Sequence, residues 1–140
     1  MYTIYRNIEE HIVLASEVNR ENVSKMVRTF YEMIMEDQSV NVYFIMALGN
    51  DLDSEEWQEH YKILEDFWLL LMNGDKGYDR DAFSPHLDVG ELDKETFERW
   101  LELFNEVVHR YYTQKLAEKF YKRAEVLSRK FMQWLKIEST

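Results

Sequence analysis

Apolar residues recur every three to four positions along nearly the whole chain, the spacing that puts them on one face of an α-helix. Between Asn22 and Asp37 the stripe is Val23, Val27, Phe30 and Ile34, with Tyr31 beside it. A short apolar segment, Val40 to Leu48, follows and stops at Gly49. Asp53 and Glu56 have the pattern of a capping box that opens a helix closing at Gly74. The inner face of that helix reads Trp57, His60, Leu64, Phe67 and Leu71. The only long polar loop runs from Asp75 to Pro85. Beyond Gly90, Asp93 is placed to cap a long helix carrying Phe97, Trp100, Leu101, Phe104, Val107 and Tyr111 on one face. The last helix shows Leu116, Phe120, Leu127, Phe131 and Trp134, and a further helix is expected around Ile8 to Val18. The pattern predicts one all-α domain over residues 1–140, with residues 1–21 as a helical N-terminal extension. No internal repeat or low-complexity segment interrupts it.

Composition narrows the chemistry. At 140 residues the chain has the size of one domain with a real core. It has no cysteine, which excludes disulfide scaffolds, zinc ribbons, iron–sulfur clusters and thiol catalysis. One proline and four glycines are too few turn formers for an all-β fold. A net charge of −10 argues against nucleic acid as a partner, since phosphates must be neutralised on binding. The first residues reach Glu9 and Glu10 before any signal-like apolar core forms, and Phe67 to Met72 is far too short to span a bilayer. A cytoplasmic protein without membrane partners is therefore expected. Within this acidic chain, residues 110–136 carry eight Lys/Arg against Glu118 and Glu125, in the manner of a solvated helix face or a docking surface for an acidic partner. Aromatic residues reach 15% and seven methionines join them, so the chain buries flat, polarizable surface against itself or a ligand.

Four histidines are the natural candidates for chemistry, and none forms a HExxH-type pair. His11 and His109 read as surface groups. His60 lies on the apolar stripe between Trp57 and Leu64, where a lone histidine is more often a satisfied core group than a ligand. His86 follows the chain's single proline, so its imidazole is presented on a stiff arm. The 26 residues between His60 and His86 are interrupted by Gly74, Gly77 and Pro85, which lets the two rings face each other across a pocket. Tyr31 and Trp100 add large rings, each with a donor that needs a partner when buried. Each of these residues alone is compatible with ordinary core packing; together, on four segments, they suggest a polar end to an apolar pocket. No Gly-x-Ser-x-Gly elbow, Walker loop or GxGxxG fingerprint occurs. The acidic residues Asp51, Asp53, Glu55 and Glu56 lack calcium-loop spacing and suit a helix N-terminus.

Five fragments stand in one order: Phe30-Tyr31-Glu32, Glu55-Glu56-Trp57-Gln58-Glu59-His60, Phe67-Trp68, Ser84-Pro85-His86-Leu87, and Phe97 through Phe104. In this order and spacing, over roughly Asn22 to Trp134, the chain resembles the third group of truncated haemoglobins. The resemblance implies a truncated globin fold, two helices packed over two with an additional N-terminal helix, holding haem b. It makes His86 the proximal iron ligand and Tyr31, His60 and Trp100 the distal polar residues. Phe44 is similar to the phenylalanine that packs on the porphyrin, and Leu64 and Phe67 to the wall one and two turns beyond His60. Asp88 departs from the neutral residue expected there. Ile63 stands where many truncated globins place a basic residue for a haem propionate, with Lys62, Tyr78 and Arg80 as substitutes.

The implied function is binding of dioxygen, nitric oxide and other small diatomics at a His-ligated iron. An alternative is a haem-dependent redox enzyme acting on nitric oxide or peroxide with electrons from an external reductase. A second alternative, of another class, is a cofactor-free helical interaction or sensor module. Sequence leaves open whether the protein turns over a substrate.

Overall fold

A computed structural model describes residues 14–75 and 93–134, with the Trp134 side chain excepted. Five helices occur among them: α1 (Arg20–Met35), α2 (Gln38–Leu48), α3 (Glu55–Asn73), α4 (Lys94–Tyr111) and α5 (Gln114–Trp134). No helix among the described residues is long and apolar enough to cross a membrane.

Each helix has a local reason to start or stop. Asn19 and Asn22 form a reciprocal cap at the start of α1, side chain to backbone in both directions. Asp37 caps α2 by accepting from the Ser39 amide, and Asp93 caps α4 by accepting from Thr96, as its position in the sequence predicts. Gly74 ends α3 in the left-handed conformation at φ 75°. The capping box expected of Asp53 and Glu56 does not form. Ser54 caps α3 through Trp57, while the Asp53 amide donates to the Asp51 carboxylate in the preceding turn.

Helices α1 and α3 pack together, α4 packs on α5, and α1 lies against α4, so one pair sits over the other. Short α2 rests on α1 and α4. The core fills the space between the pairs with Val23, Met26, Val27 and Phe30 of α1, Trp68 of α3, Phe104, Val107 and Val108 of α4, and Phe120 of α5. Each such side chain contributes about 1.5–3 kcal/mol when removed from water. Arg20 clips α1 to α3 through Glu65 at 3.3 Å and Asp66 at 2.7 Å. Arg99 ties α4 to the α2 cap at Asp37, 2.6 Å away.

The helix expected from Ile8 to Val18 lies outside the described residues as far as Val13, and Leu14 to Val18 is not helical. Ala15 instead forms a parallel bridge with Tyr112 at the α4–α5 corner: its N–H donates to Tyr111 O and its C=O accepts from Thr113, both at 3.0 Å. Backbone groups committed to that partner are withdrawn from the helical ladder. Asn73 Nδ2 donates to Val18 O at 2.8 Å, tying the same segment to the end of α3.

Candidate functional site

Tyr31 follows Phe30 on the inner face of α1, and both are almost fully buried. Its ring lies 5.1 Å from the His60 ring, 5.2 Å from Trp57 and 5.3 Å from Phe44, each close to edge-on. Rings meeting edge to face place positive hydrogen edges on negative faces, which fixes their angles as well as their separation. Burial, with a smaller contribution from the nearby Tyr61 phenol, pushes the Tyr31 hydroxyl far above the ordinary tyrosine range. Tyr31 is thus held as a protonated donor. His60 is partly buried, and its Nε2 is shut away from solvent.

Trp57 anchors this cluster. It is completely buried, and its indole N–H donates to Gly49 O at 2.9 Å, joining the start of α3 to the end of α2. Gly49 holds φ 85° and ψ 176°, a region essentially reserved for glycine. That carbonyl position fixes the indole, and the indole supports Tyr31 and His60, 5.6 Å away. Phe44 of α2 reaches the same place from the other side.

Trp100 sits one ring removed. It packs edge-on against Phe30 at 5.3 Å and lies flat against Phe104 at 5.4 Å. Phe30 in turn touches Tyr31 at 5.1 Å, so Phe30 links the tryptophan to the tyrosine–histidine pair. Leu64 and Phe67 are half-buried and pack against the core.

The face of α3 expected to be innermost is not the most buried one. Apart from Trp57, the buried residues are Tyr61, Glu65, Trp68, Leu69 and Met72, while His60, Leu64, Phe67 and Leu71 are half-buried. The helix therefore has two apolar sides. One completes the core, and the other carries the candidate residues.

The structure brings Tyr31, His60 and Phe44 into one cluster, with Trp100 joined through Phe30 and with Leu64 and Phe67 further along the His60 side of α3. His86 lies outside the described residues, together with Ser84, Pro85, Leu87, Asp88, Tyr78, Arg80 and His11. His109 is exposed, as expected, with Nδ1 2.8 Å from Asn105 O. Trp57 and Tyr61 were not among the expected site residues. The signal for Trp57 was its place three residues before His60, on the same helix face.

The two-over-two arrangement is that of a globin of the truncated class. The chain is 30% identical over 118 residues to the group 3 truncated hemoglobin ctb of Campylobacter jejuni, covering 84% of this chain and 91% of that protein. The crystal structure of group III truncated hemoglobin from Campylobacter jejuni matches with a TM-score of 0.80 at 28% identity, over 88% of this chain and 95% of that one. No protein-family model matches the chain. The chain belongs to the group 3 truncated haemoglobins.

Membership implies a haem cofactor and makes this a globin-type haem protein. The residues present fit such a group. A flat tetrapyrrole requires an apolar wall with few polar atoms. The half-buried stripe of Leu64, Phe67 and Leu71, with the Trp100 ring, supplies apolar surface, and Tyr31 and His60 stand at one end of it.

Proposed function

We propose that the chain is a haem b protein that binds dioxygen, nitric oxide and other small diatomics, with His86 as the proximal ligand and Tyr31, His60 and Trp100 as the distal polar residues. The role of His86 rests on the sequence resemblance. The observation that carries the distal side is the 5.1 Å contact of Tyr31 and His60 beside the half-buried apolar stripe of α3. Haem iron, when bound, supplies a coordination position for a small gas molecule. What discriminates among ligands is the protein. Tyr31, kept protonated by burial well above the ordinary tyrosine range, is a hydroxyl donor at neutral pH. The Trp100 indole N–H is a donor only and cannot bind iron. Donors held in place before a ligand gains negative charge need no reorganisation to stabilise it. Phe44 packs against the Tyr31 ring at 5.3 Å, and a donor held in such apolar surroundings makes a stronger bond.

A redox role toward nitric oxide or peroxide is the second reading. The observation favouring it is that the His60 imidazole, a group able to pass a proton, packs edge-on against the Tyr31 ring at 5.1 Å. Turnover above that of free haem, with a supplied reductant, would support it.

Oxygen release from the haem-loaded protein tests the distal assignment. Tyr31→Phe and Trp100→Phe each remove one charge-assisted bond of about 1.5–3 kcal/mol, so each speeds dissociation by about tenfold to a hundredfold. Unchanged rates in both variants would remove the two residues from the ligand's surroundings.

A further inference from the structure

Helix α5 turns Ala117, Phe120, Ala124, Ser128 and Phe131 inward. On the opposite face Lys115, Lys119, Lys122, Val126 and Arg129 follow one another at helical spacing, flanked by Arg123 and Lys130. All seven are exposed. The six cations are opposed within the helix by Glu118 and Glu125 alone, which leaves α5 at +4 in a chain of −10. Among the described residues none of the six cations forms an ion pair; on the other helices Arg20, Lys25, Lys94, Arg99 and Arg110 do, while Arg28 and Lys62 do not. At the centre of the stripe Val126 is 41% exposed, one of few large apolar side chains that reach the surface. An apolar centre ringed by one sign of charge is the composition of a protein contact rather than of a face kept merely wet.

We propose that this face of α5 docks an acidic electron-carrier protein. Two features select that class. The remainder of the chain carries −14, the balance of −10 and +4, so an extended polyanion such as nucleic acid or an anionic bilayer is repelled beyond the stripe. A compact protein with a local acidic patch meets only the stripe. From the inner side of the same helix, Phe120 lies 6.4 Å from Phe104, which stacks on Trp100 at 5.4 Å. A run of touching rings therefore leads from the docking helix to the candidate site. The consequence for function rests on the haem reading: one electron passes from the carrier's reduced centre to haem iron, which goes from ferric to ferrous as the carrier is oxidised by one, with no bond or proton exchanged.

An acidic plant-type ferredoxin serves as the probe, with calorimetric binding to the chain as the first readout and reduction of the haem-loaded chain as the second. The variant reverses three exposed cations together, Lys119→Glu, Lys122→Glu and Arg129→Glu; a second variant, Val126→Asp, alters the centre. At low salt the wild type binds ferredoxin and is reduced by it. Both variants bind about tenfold or more weakly and are reduced correspondingly slowly, while reduction by dithionite is unchanged. Retained binding in the triple variant, no binding by the wild type, or binding of phosphatidylglycerol vesicles in place of ferredoxin overturns the proposal. Because calorimetry needs no haem, ferredoxin binding by a chain that takes up no haem would keep the surface and remove only the haem reading.

Discussion

Tyr31 shows how one buried hydroxyl ties stability to pH. Burial raises its proton affinity, and burial alone does the same for Tyr112, whose hydroxyl also donates to Asn22 Oδ1 at 2.7 Å. In the unfolded chain both phenols ionise near pH 10, roughly the ordinary tyrosine value. In the folded chain they hold their protons well beyond it, so above about pH 10 the unfolded state binds fewer protons than the native one. The stability owed to these two groups is complete below that pH and is lost as pH rises further. A spectroscopic alkaline titration should show part of the tyrosinate signal appearing only together with loss of helical circular dichroism. Tyr31→Phe and Tyr112→Phe should each reduce that delayed part. Ionisation of all nine tyrosines near pH 10 in a chain that stays helical would contradict the burial of both.

Helix ends were the most legible elements, and their exceptions are instructive. Asp93 and Gly74 act where the sequence puts them, because a cap needs only its own side chain or backbone freedom and the neighbouring amides. At the start of α3 two capping residues stand side by side, and the sequence does not distinguish them. Ser54 takes the position, accepting from the Trp57 amide, while the Asp53 amide lies in the preceding turn and donates to Asp51. The α3 stripe is ambiguous for another reason: the helix is apolar on two sides, and a period of 3.6 gives the face but not what it faces. The helix expected through Leu14 to Val18 was misread, since the pairing of Ala15 with Tyr112 joins residues nearly a hundred positions apart. Gly49 offers a sharp test of the α2–α3 junction. A Cβ there meets nothing within 4 Å, so the cost of Gly49→Ala is wholly that of the backbone at φ 85°. The expected loss is about 1–3 kcal/mol in urea unfolding, accompanied by a change in Trp57 fluorescence because the indole donates to the Gly49 carbonyl. Unaltered stability would show that α2 can end in another conformation.

At the scale of the whole molecule, periodicity was enough to give an all-α chain, and the order of five short fragments gave its family. What the pattern of apolar residues could not separate was core from pocket, because Leu64 and Phe67 read the same way in either. In the fold Leu64 and Phe67 are half-buried, while Trp68 and Leu69 on the same helix are buried. The haem that the family implies binds the folded chain, so when bound it adds to stability as well as chemistry. The proximal side of that argument belongs to His86. The most direct measurement is therefore a titration of the cofactor-free chain with hemin, wild type and His86→Ala in parallel, followed by Soret absorbance in the ferric and dithionite-reduced forms. The account predicts one haem per wild-type chain with a histidine-ligated spectrum, and in the variant an altered Soret band with weaker binding of hemin. A variant whose spectrum and affinity match the wild type would contradict it.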